Sequence, residues 1–158
     1  MSSRVPRGKG GGATDEAPMN FWVPVEVRYS DLDAQGHVNN ATFFTYFEQG
    51  RVAFFAELRA RHTTNEAVPG THAPDLPFVI ANASCVYLRP VAQLAPVVVG
   101  IRCSRVTHAS IEMEYAVCDQ PHGSPYARGT TLTVSIDPVS GRPRALPEWA
   151  RLALEFLP

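Results

Sequence analysis

The stretch from Asn40 to Arg61 decides the fold, and it reads NATFFTYFEQGRVAFFAELRAR. Apolar side chains recur in it at the three- and four-residue spacing of one helix face, and no proline interrupts them. These side chains are Phe43, Phe44, Phe47, Phe54, Phe55 and Leu58. Asn39 or Asn40 can cap the helix start, because an asparagine side chain accepts hydrogen bonds from the free backbone N–H groups there. The pattern predicts one long helix over residues 40–61.

Strand-like segments flank this helix on both sides. Alternating apolar residues predict one strand before it, over residues 23–29, because side chains of a strand point alternately to its two faces. Four more strands are predicted after it, over residues 78–89, 97–106, 110–118 and 126–136. Because short turns separate these four, we expect them to be antiparallel neighbours in chain order. Laying the helix across one face buries that face. The sequence therefore predicts an α+β hotdog fold, an antiparallel five-stranded sheet wrapped around a long central helix.

The two ends of the chain differ from this pattern. Residues 1–20 are rich in Gly, Ser, Pro and charged residues and show no apolar period, a composition that cannot build a core. We expect a disordered lead over residues 1–20 and a single domain over residues 21–158. Pro147, followed by apolar residues between Trp149 and Leu157, predicts a short helix at the C-terminal end, since proline suits a first helical turn.

The composition narrows the possible functions. The chain has 14 basic and 15 acidic residues and a formal net charge of -1, so no basic surface for nucleic acid or an anionic membrane is expected. No apolar run approaches the roughly 20 residues of a membrane span. Three cysteines without a Cys-x-x-Cys pair predict reduced thiols and a cytoplasmic location. The histidines lack metal-ligand spacing, so we expect neither a metal nor a cofactor.

The segment RYSDLDAQGHVNN, residues 28–40, concentrates reactive side chains between the first strand and the helix. It contains two carboxylates, Asp31 and Asp33, with a histidine and two asparagines close by. The helix start adds free N–H groups and the positive end of the helix dipole. Such donors stabilise an oxyanion that forms on a thioester carbonyl. A nearby carboxylate can attack that carbonyl or deprotonate a water molecule.

The pattern Asp-x-Asp-x-x-Gly-His-Val-Asn-Asn, followed by an aromatic helix with Phe-Glu-x-x-Arg, resembles the 4-hydroxybenzoyl-CoA thioesterase family of the hotdog superfamily. The motif covers residues 28–51, and the strand order extends the resemblance over about residues 21–137. The resemblance implies an acyl-CoA thioesterase, with acyl-acyl-carrier-protein as another possible substrate. It also implies a homodimer or homotetramer whose active sites lie between subunits.

The resemblance assigns three catalytic candidates by position. Asp33 matches the catalytic carboxylate, which acts as nucleophile or general base. Asn40 matches the position whose backbone N–H contributes to the oxyanion site, although other members have His or Tyr there. Glu48 is the third candidate, because another thioesterase branch uses a glutamate on the helix. Its alternative role is an ion pair with Arg51 one turn further along.

The remaining candidates would bind the substrate. His37 and Asn39 lie beside the motif carboxylates, and His37 is not expected to be the base because several relatives have an apolar residue there. Phe43, Phe44 and Phe47 would line the acyl groove from the helix. Arg89 would hold phosphates of CoA through its paired donors, and other arginines on predicted strands are open alternatives, namely Arg102, Arg105 and Arg128.

Two rival functions are also compatible with these residues. A hotdog hydratase or dehydratase acts on the same acyl carriers, but the four-residue spacing between Asp33 and His37 does not match the pattern of those branches. A non-catalytic acyl-CoA-binding module could use the same groove without cleaving the thioester. Such a module has no need of Asp33 beside the thioester, and this favours hydrolysis.

Overall fold

A computed structural model describes residues 18–62 and 78–156 of the protein. The expected disordered lead falls mostly on residues 1–17, which lie outside the described residues. The main elements in chain order are β1 (Phe21–Val25), α1 (Thr42–His62), β2 (Phe78–Tyr87), β3 (Val97–Val106), β4 (Ser110–Cys118), β5 (Pro125–Ser135) and α2 (Glu148–Arg151). Among the described residues, no helix combines the length and apolarity needed to cross a membrane.

The five strands form one antiparallel sheet in the order β1-β3-β4-β5-β2. The predicted α+β fold class is confirmed, but the prediction that the last four strands are neighbours in chain order is wrong for β2. That strand pairs with β5 at the edge of the sheet. The reason is that no tight turn joins β2 to β3. The segment 88–96 between them has a fully buried residue, Val91, and its Ala92 forms an isolated bridge with His37.

Helix α1 packs on one face of the sheet because strand alternation places apolar side chains on that face. In β4 these are Ile111, Met113, Tyr115 and Val117, all of them buried. Phe47 of α1 stacks on Tyr115 with ring centroids 4.7 Å apart. Gly129 of β5 makes room for the Phe47 ring, since a Cβ at this position would collide with the ring atoms. The glycine therefore sets how closely α1 approaches the sheet.

Three predicted boundaries shift for local reasons. The first strand ends at Val25 instead of residue 29, because Tyr29–Asp31 forms a 3-10 turn. The helix begins at Thr42 instead of residue 40, since the Asn39 side chain ties down the preceding backbone. At the C-terminal end, α2 is only four residues long and continues as a 3-10 helix over Leu152–Phe156.

Strand β2 is an exposed edge. All of its residues are exposed except Phe78 and Cys85, which are half-buried. Its sequence, FVIANASCVY, contains no charged residue and no proline, although such residues commonly protect sheet edges from unwanted pairing. The exposed apolar side chains Val79, Ile80 and Val86 lie along it. Among the described residues, none pairs with the outer edge of β2.

The three cysteines, Cys85, Cys103 and Cys118, are free thiols. Cys103 and Cys118 are buried, whereas Cys85 is half-buried in β2. Burial raises the pKa of the Cys103 thiol to about 12, so this thiol stays protonated and behaves as a small apolar side chain. The cytoplasmic location stays a prediction.

Candidate active site

The motif loop, residues 28–40, closes on itself around Asp33. The backbone N–H of Asp33 donates to the carbonyl of His37 at 2.8 Å, and that of Gly36 donates to the carbonyl of Asp33 at 3.0 Å. Gly36 has a φ of 76°, a conformation that glycine adopts without the steric cost borne by other residues. A bridge between Leu32 and Val38 joins the two ends of the loop. The loop therefore presents Asp33 from a fixed backbone.

The two carboxylate oxygens of Asp33 have different surroundings. Oδ1 accepts hydrogen bonds from the backbone N–H groups of Gln35, at 2.8 Å, and His37, at 3.3 Å. Oδ2 has no hydrogen-bond donor among the described residues. One oxygen thus orients the carboxylate while the other remains available for chemistry.

Asp31 lies beneath the loop and is 3% exposed. It accepts hydrogen bonds from the backbone N–H of Arg28 at 2.9 Å, from the Arg28 guanidinium at 3.0 Å, and from the Tyr46 hydroxyl at 3.1 Å. Burial alone raises the pKa of Asp31, but these hydrogen bonds together bring it below its ordinary value. Burial and the Asp31 charge raise the pKa of Tyr46, so its hydroxyl remains a donor. Asp31 ties the loop to α1.

The backbone N–H groups just before α1 differ in whether they find an acceptor among the described residues. The Asn39 side chain accepts a hydrogen bond from Ala41 N–H at 2.9 Å, and the Asn39 carbonyl accepts one from Thr42 N–H at 2.9 Å. The N–H of Asn40 donates to no acceptor among the described residues. Its carbonyl accepts a hydrogen bond from the Tyr87 hydroxyl of β2 at 3.0 Å. An unbonded N–H beside a helix start can stabilise an oxyanion.

Asp33 and Asn40 both line a cavity of about 360 Å³, here called the loop pocket. It lies between the motif loop, the helix start and the end of β2, and its volume falls in the range of small-molecule sites. The structure brings five of the predicted site residues together here: Asp33, His37, Asn40, Phe43 and Arg89. Tyr87, Leu88 and Pro90 complete much of the wall.

A second cavity, of about 280 Å³, lies between α1 and the middle of β2 and is called the seam pocket. The predicted residues Phe44, Phe47 and Glu48 line this pocket instead of the first. Arg51 also lines it, and its Nη1 donates to the Tyr115 hydroxyl at 3.5 Å. Glu48 makes no ion pair with Arg51 among the described contacts. Asn39 lines neither pocket and supports the helix start.

The guanidinium of Arg89 makes most of its contacts with other residues of the protein. Nη2 contacts a carboxylate oxygen of Asp119 at 2.9 Å, and Nε donates to the Pro125 carbonyl at 3.3 Å. The guanidinium lies over the Tyr126 ring, 3.8 Å from its centroid. Nη1 has no hydrogen-bond acceptor among the described residues. Arg89 thus shapes the wall of the loop pocket and retains one nitrogen for a ligand.

Sequence reasoning missed Tyr87 and Tyr46, although both contact the motif segment. Tyr46 carries a usable signal, because it lies on the same predicted helix face as Phe43 and so faces the core. Tyr87 carries none, since its contact with Asn40 depends on β2 lying beside the helix start. Within residues 18–62 and 78–156, no three His, Cys, Asp or Glu side chains group as metal ligands would.

The chain belongs to the thioesterase-like superfamily, whose family model matches residues 27–154. This confirms the resemblance to hotdog thioesterases. A similar solved structure is a thioesterase from Thermus thermophilus complexed with coenzyme A and Zn. The two chains share 34% identity over 84% of this chain and 95% of that one, with a TM-score of 0.66.

Two further relatives support the family. A thioesterase superfamily structure from Jannaschia sp. CCS1 is 28% identical over 87% of this chain and 82% of that one, with a TM-score of 0.68. The uncharacterized protein YsmA of Bacillus subtilis strain 168 is 28% identical over 123 residues, which are 78% of this chain and 77% of YsmA. The similarity therefore extends over most of each protein.

Proposed function

We propose that the protein hydrolyses acyl-CoA thioesters in the loop pocket. The observation that carries this proposal is that one cavity is lined both by Asp33, whose Oδ2 has no donor among the described residues, and by Asn40, whose N–H has no acceptor among them. A carboxylate and an oxyanion donor are the two groups that acyl transfer from a thioester requires. The coenzyme A in the similar Thermus thermophilus structure supports CoA as the carrier.

Two routes fit this pair of groups. In the general-base route, Oδ2 takes a proton from water as the water oxygen bonds to the thioester carbon. The oxyanion lies against Asn40 N–H, the C–S bond then breaks, and the CoA thiolate leaves and recovers the proton. In the nucleophilic route, Oδ2 itself bonds to the carbon and expels the thiolate, and water then cleaves the resulting anhydride. In ¹⁸O-labelled water, label enters the Asp33 carboxylate when water attacks the Asp33 carbon of the anhydride, and the general-base route never places label there.

The remaining site residues have supporting roles in this proposal. Nη1 of Arg89, which is free of described partners, contacts a phosphate of CoA, since guanidinium groups bind phosphate well. Phe43 contacts the first part of the acyl group. The seam pocket receives the rest of that group along Phe44 and Phe47, with Glu48 at its rim.

The proposed working unit is a homodimer joined through β2. This edge lacks protective charges and exposes apolar side chains such as Ile80 and Val86. An antiparallel pairing of β2 with its own copy obeys a two-fold axis, which is the commonest symmetry of protein dimers. The seam pocket lies beside this edge, and Tyr87 of the loop pocket lies at its end. A second copy would therefore cover the open side of the acyl site.

The test is thiol release from a panel of acyl-CoA and acyl-carrier-protein thioesters by the wild type, Asp33→Asn and Asp137→Asn. Asparagine keeps the Oδ1 acceptor of the Asp33 loop but cannot act as base or nucleophile, so kcat should fall by roughly 10²–10⁴-fold. Asp137 is the matched control, because its Oδ1 accepts Ser140 N–H at 2.7 Å in an exposed turn outside both pockets. Asp137→Asn should keep the wild-type rate.

Other outcomes of this panel would contradict the proposal. Full activity in Asp33→Asn would remove Asp33 from the chemistry. Binding of acyl-CoA without thiol release by the wild type would identify a non-catalytic binding module. Hydration of an enoyl-CoA without loss of the thioester would identify a hydratase.

A further inference from the structure

Tyr87 links the edge strand to the start of α1. It is the last residue of β2, and its hydroxyl donates to the carbonyl of Asn40 at 3.0 Å. Its ring packs edge-on against Phe43, with ring centroids 5.3 Å apart and planes at 73°. Burial, and then the neighbouring Cys85 thiol, raise the pKa of Tyr87 above its ordinary value of 10.0. The hydroxyl therefore keeps its proton at neutral pH.

Besides the hydrogen bond from Tyr87, the helix start has one bond to the motif loop, where Asn39 N–H donates to the Asp31 carbonyl at 2.8 Å, and two local bonds to Asn39. Asn39 bonds to Ala41 and Thr42 within a few residues, so these bonds shape the turn without fixing where it lies against the sheet. Among the described contacts of Asn40, the hydrogen bond from Tyr87 comes from a different element, 47 residues away in sequence. It restrains the peptide group between Asn40 and Ala41. Because the two peptide groups share the Cα of Asn40, this also limits how far the preceding peptide group, which carries the Asn40 N–H, can turn.

A direct role for Tyr87 on the substrate oxyanion does not fit this geometry. A tyrosine hydroxyl has a single proton to donate, and here that proton goes to the Asn40 carbonyl. The hydroxyl oxygen offers only lone pairs to the rest of the pocket, and lone pairs repel an oxyanion. Tyr87 can therefore assist the reaction only through Asn40.

We propose that Tyr87 is a positioning residue that holds the Asn40 N–H in the direction needed by the thioester oxyanion. This inference rests on the proposed hydrolysis in the loop pocket. The oxyanion is present in the transition state and absent from bound substrate, so misdirecting its donor lowers kcat and leaves KM unchanged.

The test compares Tyr87→Phe with Tyr29→Phe and the wild type. Phenylalanine keeps the ring contact with Phe43, and Tyr87 is 45% exposed, so the fold and Tm should be retained. We expect kcat to fall by about 3- to 10-fold, the rate equivalent of one hydrogen bond, with KM unchanged. Tyr29 is the control, because it is 82% exposed and does not line the loop pocket. Tyr29→Phe should match the wild type.

Amide hydrogen exchange at Ala41 gives a second readout, measured well below the Tm of each variant. The Ala41 N–H belongs to the same peptide group as the Asn40 carbonyl and donates to Asn39 Oδ1. Its exchange should be faster in Tyr87→Phe, because this peptide group is no longer held from β2. An unchanged kcat, a change confined to KM, or unchanged exchange would each overturn the positioning role while leaving hydrolysis intact. A wild type that releases no thiol from any thioester would overturn the proposed function, and the positioning role with it.

Discussion

Asp31 and Asp33 lie two residues apart and carry the same carboxyl group, yet their surroundings are opposite. Asp31 is buried and fully occupied by Arg28 and Tyr46. Asp33 uses one oxygen for its own loop and leaves the other unbonded among the described residues. A carboxylate whose oxygens are both hydrogen-bonded stabilises the structure, whereas one with an unbonded oxygen can react. The contacts therefore indicate different roles for two residues that the motif alone does not distinguish.

Asp31→Asn should lower the free energy of unfolding at pH 7 by about 1–3 kcal/mol, because the buried Tyr46 hydroxyl loses a charged acceptor. The pKa of Asp31 in the folded protein lies below its ordinary 3.8. Its charge therefore stabilises the fold above that value, and this contribution is lost as pH falls through the folded pKa. Urea unfolding at neutral pH and near pH 2 should show the difference from wild type shrinking in acid.

Tyr46→Phe serves as the companion variant in this measurement. It removes one of the donors that lower the Asp31 pKa but leaves the Asp31 charge paired with Arg28. Its stability should therefore keep part of the pH dependence of the wild type, less than the wild type shows and more than Asp31→Asn shows. If the Asp31→Asn difference were as large near pH 2 as at pH 7, the charge of Asp31 would not be its cause.

At the scale of elements, the apolar pattern of the sequence predicted those features that depend on local sequence alone. The alternation of apolar residues located β3 and β4 at the bounds that the structure has, Val97–Val106 and Ser110–Cys118. The motif likewise located Asp33 and Asn40 on one pocket. Pattern failed for β2, because pairing with β5 instead of β3 is decided by contacts distant in sequence. The same limit hid Tyr87, whose place in the pocket follows from that pairing.

Gly129→Ala tests how closely α1 approaches the sheet. The added Cβ would collide with the Phe47 ring and would lie 2.7 Å from the Ser84 carbonyl oxygen, so either the ring or β2 must move. Overpacking of this kind costs about 1–3 kcal/mol, and the Tm should fall accordingly. Adding Phe47→Leu to Gly129→Ala should recover part of the loss relative to the sum of the single variants. Strict additivity would show that the ring contact is not the source of the strain.

At the scale of the whole molecule, the open edge and the open site lie on the same side. Strand β2 has its outer edge and most of its side chains exposed. The seam pocket and the end of the loop pocket border that strand. Assembly through β2 would therefore shield the edge and enclose the acyl group at the same time. The proposed acyl site would then be complete only in the oligomer.

Ser84→Lys tests this assembly. Ser84 lies exposed near the middle of β2, so two copies of the lysine would approach each other across a two-fold axis, and like charges on paired strands destabilise the pairing. Light scattering after gel filtration should give a two-chain mass for the wild type and a shift toward one chain for the variant. Val139→Lys adds the same charge at a turn residue that is 94% exposed and should leave the mass unchanged. A monomeric wild type would contradict the dimer.

The pairing of β2 with β5 also has a consequence for the order in which the chain can fold. Phe78 pairs with Ser135, and Tyr87 with Ala127, so β2 is synthesised well before the strand that holds it. Contacts between such distant segments form slowly. Until β5 arrives, the charge-free strand β2 has no partner in the sheet, although α1 can already pack on β3 and β4. An unpaired apolar strand is a hazard for aggregation on the ribosome. The last strand of the sheet thus holds in place the strand that carries Tyr87 of the loop pocket.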